Sequence, residues 1–60
     1  MMSRYAIVTD GRVTNIINSG YYTANVIAIK SHGEAIDISR YPTIIGDIFT
    51  NGVFMRNGEV

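Results

Sequence analysis

Hydrophobic and polar positions follow their most regular pattern near the C-terminus, in Gly46-Asp47-Ile48-Phe49-Thr50-Asn51-Gly52-Val53-Phe54-Met55-Arg56. Asn51-Gly52 between two apolar runs predicts a two-residue type I′ hairpin, because both central residues of that turn need a positive φ. The turn then fixes the register. Thr50 falls opposite Val53, Phe49 opposite Phe54, Ile48 opposite Met55 and Asp47 opposite Arg56. Phe49, Phe54, Asp47 and Arg56 share one face, where an aromatic pair and an opposite-charge pair each contribute roughly 0.2–1 kcal/mol. A slip of one residue breaks both pairs together.

The N-terminal third repeats the pattern. Tyr5-Ala6-Ile7-Val8-Thr9 and Arg12-Val13-Thr14-Asn15-Ile16-Ile17 flank Asp10-Gly11, a second type I′ signal. Uninterrupted pairing sets Thr9 against Arg12, Val8 against Val13, Ile7 against Thr14, Ala6 against Asn15 and Tyr5 against Ile16. Both faces of this ribbon are then largely apolar. A ribbon wetted on one side should alternate apolar and polar, so this one is expected to be covered on both sides, by the rest of the chain or by another subunit.

The middle is less regular. Asn18-Ser19-Gly20 reads as a loop. Over residues 21–30 the closely spaced Val26, Ile27 and Ile29 favour a strand, while Ser19 as a cap and Gly33 as a stop fit a helix. Residues 31–34 read as a turn. Ala35-Ile36-Asp37-Ile38-Ser39 alternates strictly, with Ile36 and Ile38 inward, until Pro42 removes an amide donor. A last turn is expected over residues 57–60. The pattern predicts one domain over 1–60, an all-β antiparallel meander or roll of about six short strands. The alternative is an α+β fold with one helix at 21–30.

Sixty residues with no cysteine and one histidine exclude disulfide staples and leave zinc without a ligand set. A chain this small buries only about 60% of its unfolded surface. The 47% hydrophobic content therefore points toward an assembly that completes its core with neighbouring chains. Five basic and five acidic residues balance to zero net charge, and without a basic cluster the phosphate contacts that drive nucleic-acid binding are not expected. No run approaches the length of a membrane span, and no signal segment is read at the N-terminus. A protein made in the cytoplasm, without membrane or nucleic acid as partner, is expected.

Candidate chemistry is sparse. His32-Gly33-Glu34 offers a His-x-Glu pair, but no third ligand or nucleophile lies near it in sequence, so a solvated turn histidine is expected. The serines lack a nucleophile elbow, and the glycines form no phosphate-cradling loop. No catalytic residue, metal or cofactor is expected. The aromatic residues could stack bases or sugars; without basic flanks, core or subunit contact is the preferred reading. Tyr21, Tyr22, Phe49 and Phe54 are the candidate partner-binding residues, since tyrosine and phenylalanine are enriched at interfaces.

The two ends also carry a resemblance. Tyr5 to Ile17, with its Tyr-Ala-hydrophobic start, turn glycine, valine, asparagine and hydrophobic pair, resembles the opening of many small tailed-phage proteins. Ile45 to Phe54, a Gly-Asp before an aromatic, a turn glycine and a final aromatic strand, is similar to their closing segment. The resemblance implies a non-enzymatic virion component that binds other virion proteins, of the capsid decoration or tail/neck accessory type, as a homo-oligomer or on a lattice. A different class fits the same residues: a small phage-encoded regulatory or inhibitor protein that binds one host protein.

Overall fold

The structure, a computed structural model, describes residues 2–56, so the turn expected over 57–60 lies outside the described residues. Five strands and one helix follow in the order β1 (Ser3–Thr9), β2 (Arg12–Ser19), α1 (Tyr21–Lys30), β3 (Glu34–Asp37), β4 (Ile48–Thr50) and β5 (Val53–Met55). The strands form one sheet in the order β3-β1-β2-β4-β5, with every neighbouring pair antiparallel. The β-rich expectation holds, with corrections: five strands are described where about six were expected, and Asn18 and Ser19, read as a loop, close β2. Residues 21–30 are a helix and not a strand, as in the α+β alternative.

Topology explains that helix. β2 and β3 both run antiparallel to β1 on opposite sides of it, so they are parallel to each other. Parallel strands need a crossover of about a dozen residues, usually helical, and the segment from Gly20 to Gly33 supplies it. Ala24 and Ala28, four apart and both buried, give α1 a flat side that settles closely on the sheet. Alanine's high helix propensity also offsets the weaker propensity of the β-branched residues beside them.

Both hairpin turns form as predicted, with positive φ at Asp10, Gly11, Asn51 and Gly52. The C-terminal register is the expected one in all three pairs of β4 with β5. The N-terminal ribbon departs from expectation after two pairs. Thr9 faces Arg12 and Val8 faces Val13, but Ile7 then faces Asn15, Ala6 faces Ile16 and Tyr5 faces Ile17. Thr14 is the extra residue of a β-bulge, and its hydroxyl donates to the Ile7 carbonyl at 3.2 Å.

The bulge moves Ile16 onto the face of Ala6 and Val13. There Ala6, Val8, Val13 and Ile38 form the buried core, with Ile16, Ile36, Phe49 and Phe54 packed against it. The inward placing of Ile36 and Ile38 is as expected. Tyr5 and Ile7, buried on the other face, lie under α1, where the Tyr5 and Tyr21 rings are 6.5 Å apart. The ribbon is thus covered on both sides by its own chain: by α1 on one side, and on the other by the 38–47 connection with the β4–β5 hairpin.

Candidate functional site

The 38–47 connection is tied down by backbone groups along β1 and β2. Ile38 N–H donates to the Arg4 carbonyl at 2.9 Å, Gly46 N–H to the Val13 carbonyl at 2.9 Å and Val13 N–H to the Asp47 carbonyl at 2.8 Å. The Arg4 guanidinium donates to the Thr43 carbonyl at 3.1 Å. Asp47 then organises the last turn: its carboxylate accepts Ile44 N–H at 3.1 Å and Arg56 Nε at 3.5 Å. The expected Asp47–Arg56 pair is present. It joins a buried carboxylate to a half-exposed guanidinium, which also donates to the Pro42 carbonyl at 2.8 Å.

These contacts leave a cleft of about 550 Å³ between the 41–43 segment and β5, with Tyr41, Pro42 and Phe54 in its walls and Asp47 and Thr43 among its lining residues. The Tyr41 and Phe54 rings stand 6.0 Å apart, and Phe54 meets Phe49 at 4.6 Å. Phe49 and Phe54 are therefore brought together as expected, but half-buried against the core. Phe54 alone of the two reaches the cleft wall. Tyr41, Ile44, Ile45 and Val53 are exposed on this side of the molecule.

The helix side has a different character. Tyr21 and Tyr22 both point outward, 72% and 80% exposed, and Ile29 is 73% exposed. On a strand the two tyrosines would face opposite ways; on α1 both are available at once. Tyr22 and Ile29 fall at i and i+7 on one outward side of α1, with the half-buried Val26 between them. Ile29 was not singled out as a surface residue from the sequence, because its outward position appears only once residues 21–30 are read with a helical period. Gly20 and not Ser19 is the N-cap, and no side chain caps the helix start. The Ser19 hydroxyl donates to the Gly20 carbonyl at 3.0 Å.

His32 lies in the turn after α1, exposed. Gly33 N–H donates to the Ala28 carbonyl at 2.9 Å and His32 N–H to the Ile29 carbonyl at 3.1 Å, the two bonds of a Schellman C-cap. His32 takes its left-handed position, with φ 55°. Asp10, His32 and Glu34 border a shallow hollow of about 290 Å³. Among the described residues no three His, Cys, Asp or Glu are placed to hold a metal ion. The Asp37 carboxyl has a displaced pKa. The Ser39 hydroxyl and then the Ser39 N–H donate to its carboxylate at 2.7 and 2.9 Å, and with nearby Arg40 they lower it below its ordinary value of 3.8. No described helix is long and apolar enough to cross a membrane.

Compared with protein-family models, curated proteins and solved structures, the chain matches none.

Proposed function

We propose that this chain is a non-enzymatic structural protein of a tailed-phage particle, a capsid decoration or tail/neck accessory protein that binds other virion subunits. The observation that carries the binding part is the outer face of α1. A surface helix ordinarily turns charge to solvent, and here two tyrosines and an isoleucine stand there instead. The phage part is supported by the resemblance of the two terminal ribbons to small tailed-phage proteins.

The mechanism is mechanical. Apolar side chains are presented on both outer sides of the sheet: Tyr21, Tyr22 and Ile29 beyond the helix, and Tyr41, Ile44, Ile45 and Val53 beyond the hairpin side. One copy can therefore touch two neighbours and bridge them. Buried apolar area at about 25 cal/mol per Å² sets an upper bound on what each contact adds, before the cost of association.

Quantitative mass spectrometry of purified source particles tests the reading. The chain should co-purify with them, in numbers comparable to the major capsid protein for a decoration role, or in far fewer for a tail or neck role. Absence from particles, with the chain present in infected cells, overturns it and favours a regulator or inhibitor of one host protein.

A further inference from the structure

β5 is an edge of the sheet, and among the described residues it pairs with β4 alone. Its middle residue has two backbone groups to spare. Phe49, which faces Phe54, turns its N–H to the Gly11 carbonyl at 2.7 Å, on the side away from β5. Phe49 and Phe54 are therefore a pair without mutual hydrogen bonds, and Phe54 directs its own N–H and C=O outward, away from β4. An edge with an open donor and acceptor is a template for another strand.

The cleft of about 550 Å³ runs beside that edge, with Gly52 to Arg56 on one side and Tyr41 to Thr43 on the other. Charge gathers there too. Arg56 donates to the Pro42 carbonyl at 2.8 Å and Arg4 to the Thr43 carbonyl at 3.1 Å. These two acceptors belong to adjacent residues, whose Cα atoms are about 3.8 Å apart. Arg40 is exposed in the same connection. Three of the five basic residues of the chain thus stand around the 40–43 segment. The described carboxylates near them are engaged: Asp47 is buried and accepts Ile44 N–H and Arg56, and Asp37, beside Arg40, accepts from Ser39. Each guanidinium keeps further N–H groups that these contacts do not use.

Resting on the binding reading above, we propose that β5 takes up an extended acidic segment of the partner protein as a further strand. The added strand runs antiparallel, so that one of its residues exchanges both hydrogen bonds with Phe54. Side chains directly opposite one another share a face. That residue is therefore apolar and enters the cleft beside Tyr41 and Phe54. Two positions earlier in the partner, a glutamate or aspartate falls opposite Arg56 and accepts from its guanidinium. The recognised pattern is acid, any residue, apolar.

A blocked pentapeptide with glutamate second, leucine fourth and threonine elsewhere, titrated into the whole chain, tests this by NMR. It should shift the Phe54 amide and Arg56 Nε signals and leave those of Tyr22 and Ile29 in place. The Phe54 amide should exchange its hydrogen rapidly in the free chain and slowly with peptide. Exchanging the glutamate and leucine, or putting lysine for glutamate, should weaken binding at least roughly tenfold. Arg4→Gln keeps a donor for the Thr43 carbonyl but removes the charge, and should weaken binding about threefold. A synthetic chain N-methylated at Phe54 loses the outward donor alone and should weaken it about tenfold.

Should a variant fail to fold, the wild-type chain with the three peptides still decides. Four results overturn the proposal: no shifts at millimolar peptide, equal binding of all three peptides, shifts at Tyr22 instead of Phe54, or a Phe54 amide already protected in the free chain, with residues 57–60 as the occupant of the edge. None of these touches the particle reading, which rests on the outer face of α1 and the terminal ribbons. Absence from particles does not touch the strand addition, which a host protein would then supply.

Discussion

Adjacent residues at the end of α1 carry opposite constraints. His32 holds a left-handed φ of 55°, a conformation that costs a side-chain-bearing residue roughly 1–2 kcal/mol. A Cβ at Gly33 would collide with the Val8 carbonyl oxygen and crowd the Thr9 hydroxyl, so the backbone would have to shift to accept one. His32→Gly should therefore raise stability by about 1 kcal/mol, and Gly33→Ala should lower it by about 1–3 kcal/mol or more. Paired denaturant titrations check both signs. From the sequence, Gly33 is a natural helix stop. The structure gives the left-handed position to its neighbour and uses the glycine for a close approach, a distance that sequence spacing does not encode.

Two carboxylates are governed by their donors. Asp47 is 3% exposed, so Asp47→Ala should cost about 1–3 kcal/mol by leaving Ile44 N–H without its acceptor and Arg56 without its charge partner. Arg56→Ala, at the exposed end of the pair, should cost less than about 1 kcal/mol. The exposed Asp37 carboxylate owes its lowered pKa mainly to the Ser39 hydroxyl. A carboxylate lowered on folding contributes stability that is present above its ordinary value and is lost as pH falls through the lowered folded value. Ser39→Ala should move Asp37 part of the way back toward 3.8, the Ser39 N–H and Arg40 still holding it down, which an NMR titration of the Asp37 carboxyl carbon measures.

At the scale of elements, the hairpins were legible because their turns are local. Asp10-Gly11 and Asn51-Gly52 specify positive φ, and the β4–β5 register follows directly. The bulge at Thr14 was not legible, since alternation carried through from the turn leaves both faces of the ribbon largely apolar. Only the sheet's need to place Ile16 over Ala6 selects the shifted register. The helix was only half legible. Its signal is the Ala24–Ala28 spacing, masked by Val26, Ile27 and Ile29, and it wins because the chain must cross β1 between two parallel strands. Of the four candidate partner-binding residues, Tyr21 and Tyr22 are exposed on α1, and Phe49 and Phe54 are half-buried cover of the core. Complete burial of a phenylalanine would make its loss cost about 3–5 kcal/mol. Phe54→Ala should therefore cost about 2 kcal/mol, read from the thermal midpoint.

The whole molecule is a thin sheet covered by its own chain on both sides, with apolar side chains again on the outside of each cover. Self-coverage removes one reason to expect partners, the two-faced ribbon, and supplies a better one in the outer face of α1. A chain of this size is marginal alone, and each contact made in an assembly adds to its stability by mass action. Incorporation into particles, wild type against Tyr22→Glu, tests this account most directly. The account predicts that the wild-type chain is found in purified particles and that Y22E, equally folded and equally expressed, is depleted at least roughly tenfold, a loss of about 1.4 kcal/mol of binding. Absence of the wild-type chain, or equal incorporation of the variant, would contradict it.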